Sequence, residues 1–185
     1  MDEHNIKKQL KQVLSPALYA HCAGVSSTAG VLATSLGCDV SKARVAGWLH
    51  DCAREWPSAK LLHHAQTNSI EVDAITLRSP VILHAPIGAL LAQQWGVTDT
   101  DILAAIRTHT LGTPDMTLLA QIIYLADKIE PNRQYPCVDE LRQLAKLDFH
   151  QALIQTTAHT ISFILHKQQA IHPVSLSYWN WLINK

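Results

Sequence analysis

The sequence predicts an all-α fold, a single-domain helical bundle. Three observations carry that prediction. Apolar residues recur at helical spacing along nearly the whole chain, proline and glycine punctuate it at roughly helix-length intervals, and no run alternates as a half-buried strand would. Ser15-Pro16 combines an N-cap hydroxyl with a first-turn proline, and the helix that starts there runs to Leu36, where Gly37 supplies a stop. Ser41 opens a second helix that reaches about Arg54 and is ended by Pro57. A short helix around Lys60–Ala65 and a less regular stretch lead to Pro80. The next helix extends from about His84 to Trp95 and closes at Gly96; Thr98 or Asp99 caps its successor, which continues to roughly Thr110 before Gly112 and Pro114 break it. Another begins near Asp115 and ends at about Ile129, ahead of Pro131, and segments over 138–144, 148–167 and beyond Pro173 complete the series. Residues 1–14 read as a polar N-terminal segment. Residues 15–185 read as the domain, with its core over about 15–133 and C-terminal helices over 138–185. No internal repeat or low-complexity tract interrupts it.

Composition narrows the function. The chain has 185 residues, 48% of them hydrophobic and 16% charged, with a net charge of zero when histidine is neutral. Nucleic-acid binding needs a surplus of lysine and arginine over phosphates, which is absent here. No apolar run approaches the ~18 residues that span a bilayer, and the start of the chain is polar rather than signal-like, so neither a membrane nor a nucleic acid is an expected partner. Four cysteines without CxxC spacing suit reduced core thiols and a cytoplasmic location. Eleven histidines in so neutral a chain suggest metal or acid–base chemistry.

The faces those residues occupy are more informative than their number. His21 shares a helical stripe with Ala17, Val25 and Leu32, and Asp127 follows Ala120 and Ile123 on a strongly apolar segment. His109 lies with Ile102, Ala105 and Ile106; His84 lines up with Ile87, Gly88, Leu91 and Trp95. His50 follows Ala43, Ala46 and Gly47, a small-residue face that permits close helix approach. One inward histidine is usually a core residue bonded to a carbonyl. Six inward polar groups, including the adjacent pair His50-Asp51, would each cost several kcal/mol if unpaired, and convergence on shared cations offsets all of them at once. Imidazoles with carboxylates and no thiolate suit Fe, Mn, Co, Ni or Zn without selecting among them. Two ions bridged by Asp51 use six ligands more economically than one and can clamp both sides of a phosphoryl transfer.

The ordered set His21…His50-Asp51…His84…His109…Asp127 resembles the HD-domain superfamily of metal-dependent phosphohydrolases. A closer resemblance covers about residues 15 to 180. Ala46–Ala53, Leu83–Ala89, Ala105–Gly112 and Ala126–Arg133 are similar to the YqeK branch, the symmetrical diadenosine tetraphosphate hydrolases with a di-iron-type centre and ADP as product. Leu18 stands where that branch usually has arginine, and Cys137 where it commonly has glycine. The resemblance implies a metal shell of His21, His50, Asp51, His84, His109 and Asp127, with Asp51, His84 and His109 as its catalytic members. It also implies two ions, iron first among the candidate metals, and is compatible with a homodimer. The expected reaction is attack of a metal-bridging hydroxide on a central phosphorus.

Lys128 and Arg133 flank Asp127 and are candidates for the outer phosphates, or else a solvated helix end near Glu130. Thr110 and Gly112 follow a ligand histidine and would either meet phosphate or form an ordinary helix terminus. Trp48 and Trp95 read as core, whereas Trp56 and Tyr135 are candidates for stacking on adenine. The other histidines, His159 and His172 among them, read as structural or solvated. Two rival functions use the same features: another HD-type nucleotide phosphatase or phosphodiesterase, and a nucleotide-binding regulatory module without turnover.

Overall fold

Eleven α-helices and one short 3-10 turn make up the regular structure of residues 3–185, the residues described by this computed structural model, and no strand occurs among them. In chain order the helices are α1 (Glu3–Val13), α2 (Pro16–Leu36), α3 (Val40–Leu49), α4 (Ser58–Thr67) and α5 (Ala74–Arg78). After the 3-10 turn Pro80–Leu83 come α6 (His84–Gln94), α7 (Thr100–Thr108), α8 (Leu118–Ile129), α9 (Val138–Leu147), α10 (Phe149–His166) and α11 (Pro173–Ile183). No described helix is long and apolar enough to cross a membrane.

The architecture follows from α8. All its residues except Leu118 and Lys128 are buried, which an all-round apolar helix requires. Around it stand α2 and α3 on one side, α7 beside them, and α9 and α10 on the other. A smaller apolar cluster of Ala53, Leu61, Ala65, Leu83 and Ile87 holds α4 and the 3-10 turn against α6.

Local signals place most helix ends where the sequence marks them. Ser15 Oγ accepts the Leu18 N–H at 3.2 Å, and Gly37 adopts a left-handed conformation (φ 69°) that closes α2. The differences have physical causes. Helix α3 starts one cap earlier than expected, at Asp39, whose carboxylate accepts the Lys42 N–H at 3.0 Å. It ends at Leu49 rather than near Arg54, and the chain continues through turns closed by Cys52 N–H to Leu49 O (3.1 Å) and Arg54 N–H to Asp51 O (2.9 Å). Helix α8 starts at Leu118, capped by Thr117, while Asp115 sits in the preceding loop with φ 59°. Cys137, at the glycine-like position after Pro136, has φ 69°, the backbone conformation that glycine adopts without strain.

The N-terminal segment departs most from expectation. Residues 3–13 form a helix whose Ile6 and Leu10 are fully buried, packed against α2 and α3. Glu3 accepts the indole N–H of Trp48 at 3.2 Å, tying the two ends of this contact. Only two buried apolar residues four apart mark this helix in a run otherwise polar, too few for periodicity to reveal it.

Gly47 sets the closest helix crossing. A Cβ built there would lie 2.6 Å from the Ser26 Cα and 2.8 Å from its nitrogen, so α3 meets the backbone of α2 directly. Gly47→Ala gains about 1 kcal/mol of helix propensity. The overlap is with backbone that cannot rotate away, and overpacking of that kind costs about 1–3 kcal/mol. A net loss is therefore expected, visible as a lower denaturant midpoint and a melting temperature reduced by several degrees.

Candidate metal centre

Six side chains from separate parts of the chain converge at the inner end of this bundle. His50, Asp51, His84, His109 and Asp127 are buried, and His21 is nearly so. Helix ends deliver three of the histidines. His50 and His109 occupy the C-terminal caps of α3 and α7, and His84 stands at the junction of the 3-10 turn with α6. Each turns its Nδ1 to the carbonyl three residues earlier: His50 to Gly47 O (2.8 Å), His109 to Ile106 O (2.7 Å) and His84 to Val81 O. The last turn of a helix leaves carbonyls without partners; the His50 and His109 rings use such carbonyls, and the His84 ring shares Val81 O with its own backbone N–H. A carbonyl only accepts, so Nδ1 carries the proton and each Nε2 lone pair faces inward. The turn after Leu49 also explains how two adjacent residues serve one site. On a continuous helix His50 and Asp51 would point about 100° apart.

The donor atoms gather around the two oxygens of Asp51. Its Oδ1 lies 3.0 Å from His84 Nε2 and 3.4 Å from His109 Nε2, and those two nitrogens are 3.1 Å apart. Its Oδ2 lies 3.7 Å from His21 Nε2 and 3.6 Å from His50 Nε2, which are 3.2 Å apart. Asp127 completes the second group, with Oδ1 at 3.1 Å from His21 and 3.7 Å from His50. The sets His21, His50, Asp127 and His50, Asp51, His109 are each compact enough to share one ion.

The electrostatics call for cations. Burial alone would keep Asp51 and Asp127 protonated, but the surrounding imidazoles, and Lys128 beside Asp127, hold both carboxyls well below the usual range. Burial disfavours the imidazolium of His50, yet the carboxylates of Asp51 and Asp127 outweigh it and raise its pKa. Burial carries His109 down to about 4, so it is a neutral donor at pH 7. Two ionised carboxylates and inward-facing lone pairs about 3 Å apart repel one another unless positive charge lies between them. Nitrogen ligands sit about 2.1 Å from such an ion, which suits these separations. The donor set therefore fits the metal that it implies.

His21 is oriented differently from the other three. Its Nδ1 is 3.0 Å from Glu130 Oε1, and Glu130 is itself buried. The second oxygen of Glu130 accepts the backbone N–H of Asn132 at 2.7 Å and its side-chain amide at 3.0 Å. Gly24 leaves room for that carboxylate, since a Cβ there would come within 2.2 Å of Glu130 Oε2. Glu130 is thus a part of the site that sequence reasoning left at a solvated helix end. Its spacing three residues after Asp127 was the available signal.

A cavity of about 730 Å³ opens from the centre. Lys128 and Arg133 line it and both contact Asp127; Arg133 Nε also donates to Asp127 O at 2.7 Å. Thr110 Oγ1 lies 3.2 Å from the Nε2 atoms of both His84 and His109, at the cavity edge. Gly112 fits the helix-terminus alternative: its N–H is occupied by Thr108 O (2.9 Å), its φ is 67°, and a Cβ would lie 2.2 Å from the Tyr178 ring, so it closes the turn after α7 and seats α11. Trp48 is core, while Trp56 lies apart from the cavity, its ring tilted 58° against His64 with Lys60 Nζ 3.4 Å from its ring centre. Arg54, Arg78, His159 and His172 also line the cavity. Of these only Arg54 carries a sequence signal, its turn-like spacing from Asp51. Cys52 and Cys22 are buried thiols pushed up by desolvation, to about 12 for Cys52, and neither belongs to the compact donor sets.

Glu130→Gln keeps the size of the side chain and removes the charge behind His21. Loss of such an outer carboxylate typically weakens metal affinity by about 10–100-fold. We expect a loss near the lower end, because glutamine still accepts one hydrogen bond; chelator competition measures it.

Comparison with known proteins agrees with this geometry. The HD domain family model matches residues 18–132, more than half of the chain. The symmetrical bis(5'-nucleosyl)-tetraphosphatase of Bacillus subtilis is 43% identical over 176 residues, covering 95% of this chain and 94% of that protein. The protein of the same name from Halalkalibacterium halodurans is 40% identical over 175 residues, covering 94% and 93%. A crystal structure from Clostridium acetobutylicum, described as a predicted HD superfamily hydrolase involved in NAD metabolism, superposes with a TM-score of 0.95 at 37% identity, covering 100% of this chain and 98% of that one. With its family model, its relatives and its convergent histidine–aspartate centre in agreement, the chain belongs to the HD-domain family, in the YqeK-type branch of these relatives.

Proposed function

We propose that this protein hydrolyses diadenosine tetraphosphate at its central bridge to two ADP, using two metal ions that its histidines and aspartates would hold, with Asp51 positioned toward both. The observation that carries this reading is the division of Asp51: each of its oxygens faces a separate pair of imidazoles, at the floor of a cavity large enough for a nucleotide. The relatives of known name support the choice of substrate. The resemblance favours iron, and the donor set also accommodates Mn, Co, Ni or Zn.

When bound, such ions supply Lewis acidity, which lowers the pKa of a water and neutralises phosphate charge. The residues of the chain do the remaining work. His84 and His109 would hold one ion and His21, His50 and Asp127 the other, with Asp51 shared. The bonds from Nδ1 fix every ring before substrate arrives, so little reorganisation accompanies the reaction. Lys128 and Arg133 meet the charge of the polyphosphate at the cavity wall, and the Thr110 hydroxyl is placed to donate to a phosphate oxygen beside His84 and His109. The oxygen of water bonds to one central phosphorus as its protons pass to solvent, the bridging P–O bond breaks with its electron pair on the departing ADP, and both halves leave as ADP. The displaced ADP is a stable anion near neutral pH and needs no protonated side chain to depart. The free thiols suit a reducing, cytoplasmic setting.

Product analysis tests this directly. Protein loaded with iron or manganese is expected to convert diadenosine tetraphosphate to ADP alone, with turnover abolished by chelation and by Asp51→Ala. ATP plus AMP would move the attacked phosphorus, and no turnover by metal-replete protein would overturn the substrate.

A further inference from the structure

The cavity extends well beyond the metal centre, and its far wall comes from a part of the chain outside the HD domain match. That wall is one face of α10, where Thr156, His159, Thr160 and Phe163 recur at helical spacing. The HD match ends at residue 132, so this wall belongs to the C-terminal helices. The imidazole of His159 stacks on the Tyr135 ring, with centroids 4.9 Å apart and planes 27° from parallel. Tyr135 is itself anchored, its hydroxyl donating to Lys128 O at 2.8 Å, so the ring pair has a fixed position relative to the cation beside Asp127. Both rings line the cavity and are only half-buried.

Charge divides the cavity in a matching way. Among the described residues its carboxylates are Asp51 and Asp127, at the metal end, where Lys128 and Arg133 contact Asp127, and the α10 wall presents rings and hydroxyls. A ligand that suits both ends carries a polyanion at one and a flat, uncharged aromatic group at the other. We infer that the Tyr135–His159 pair and the adjoining face of α10 form a nucleoside subsite, which stacks the base of a nucleoside diphosphate unit held by its phosphates at the metal centre. This rests on the hydrolase reading above and assigns base recognition to the C-terminal helices. Recognition by stacking tolerates different bases, because every base offers a π face.

The test compares ADP with inorganic diphosphate as probes, by calorimetry on the full-length manganese-loaded protein. ADP is expected to bind more tightly than diphosphate to the unaltered protein. His159→Ala and Tyr135→Ala should each weaken ADP by about tenfold, within the range that alanine replacement of a base-stacking ring produces, and leave diphosphate unchanged. His159→Phe, which keeps a ring, should restore ADP binding. Equal affinity for both probes, or ADP binding unaffected by His159→Ala, would overturn the subsite, as would equal weakening of both probes, which indicates a structural role. Turnover of diadenosine tetraphosphate by the unaltered protein, measured in parallel, reports on the hydrolase reading separately.

Discussion

Two ionised carboxylates buried among four imidazoles are stable only if the whole bundle holds cationic charge between them, and much of the structure is arranged around that requirement. Asp51 lies within 3.0–3.7 Å of all four ligand histidines, two on each oxygen. Such proximity demands that several helices end or bend at one point. Helix α3 stops at Leu49, α7 stops at Thr108, and the 3-10 turn gives way to α6 at His84. The ends of α3 and α7 leave carbonyls free, and His50 and His109 spend their Nδ1 protons on them, while His84 bonds Val81 O alongside its own backbone N–H. Helix termination and ring orientation are therefore linked at all three histidines.

His21 and Asp127 lie within helices and are held in place by packing. Close contact of α2 with α3 at Gly47 brings His21 to His50, and the burial of α8 on nearly all sides brings Asp127 to both. His21, on a helix interior, has no free carbonyl to bond and takes Glu130 instead. Three of the four imidazoles thus rest on backbone carbonyls, and His21 on a buried carboxylate.

The division between metal floor and cavity wall follows the division of the chain. Residues that match the HD domain supply the donors and Lys128, Arg133 follows just beyond the match, and α10 and the loop leading to α11 close the far side. Asp73 and His172, 3.1 Å apart, join the start of α5 to the start of α11 across that side. Gly112 connects the two parts, because its missing side chain admits the Tyr178 ring of α11.

The all-α class and the inward faces of His21, His50, His84, His109 and Asp127 were legible because helical periodicity is local, and each ligand shares a stripe with apolar neighbours a few residues away. Caps such as Ser15 and stops such as Gly37 were legible for the same reason. Helix α1 was not, because Ile6 and Leu10 are too few to mark a period and are recognisable as core only against α3. The bond of Glu130 to His21 and the seat of Tyr178 at Gly112 were not legible, because both depend on partners distant in sequence. His159, among seven histidines without an inward stripe, is singled out only by Tyr135 and the cavity. The chain alone therefore determined which residues turn away from water and what metal chemistry they suit, since both depend on side-chain type and short-range spacing. Which oxygen of Asp51 serves which imidazole, and which wall faces them across the cavity, was decided by tertiary structure, because these depend on contacts between helices far apart in the sequence.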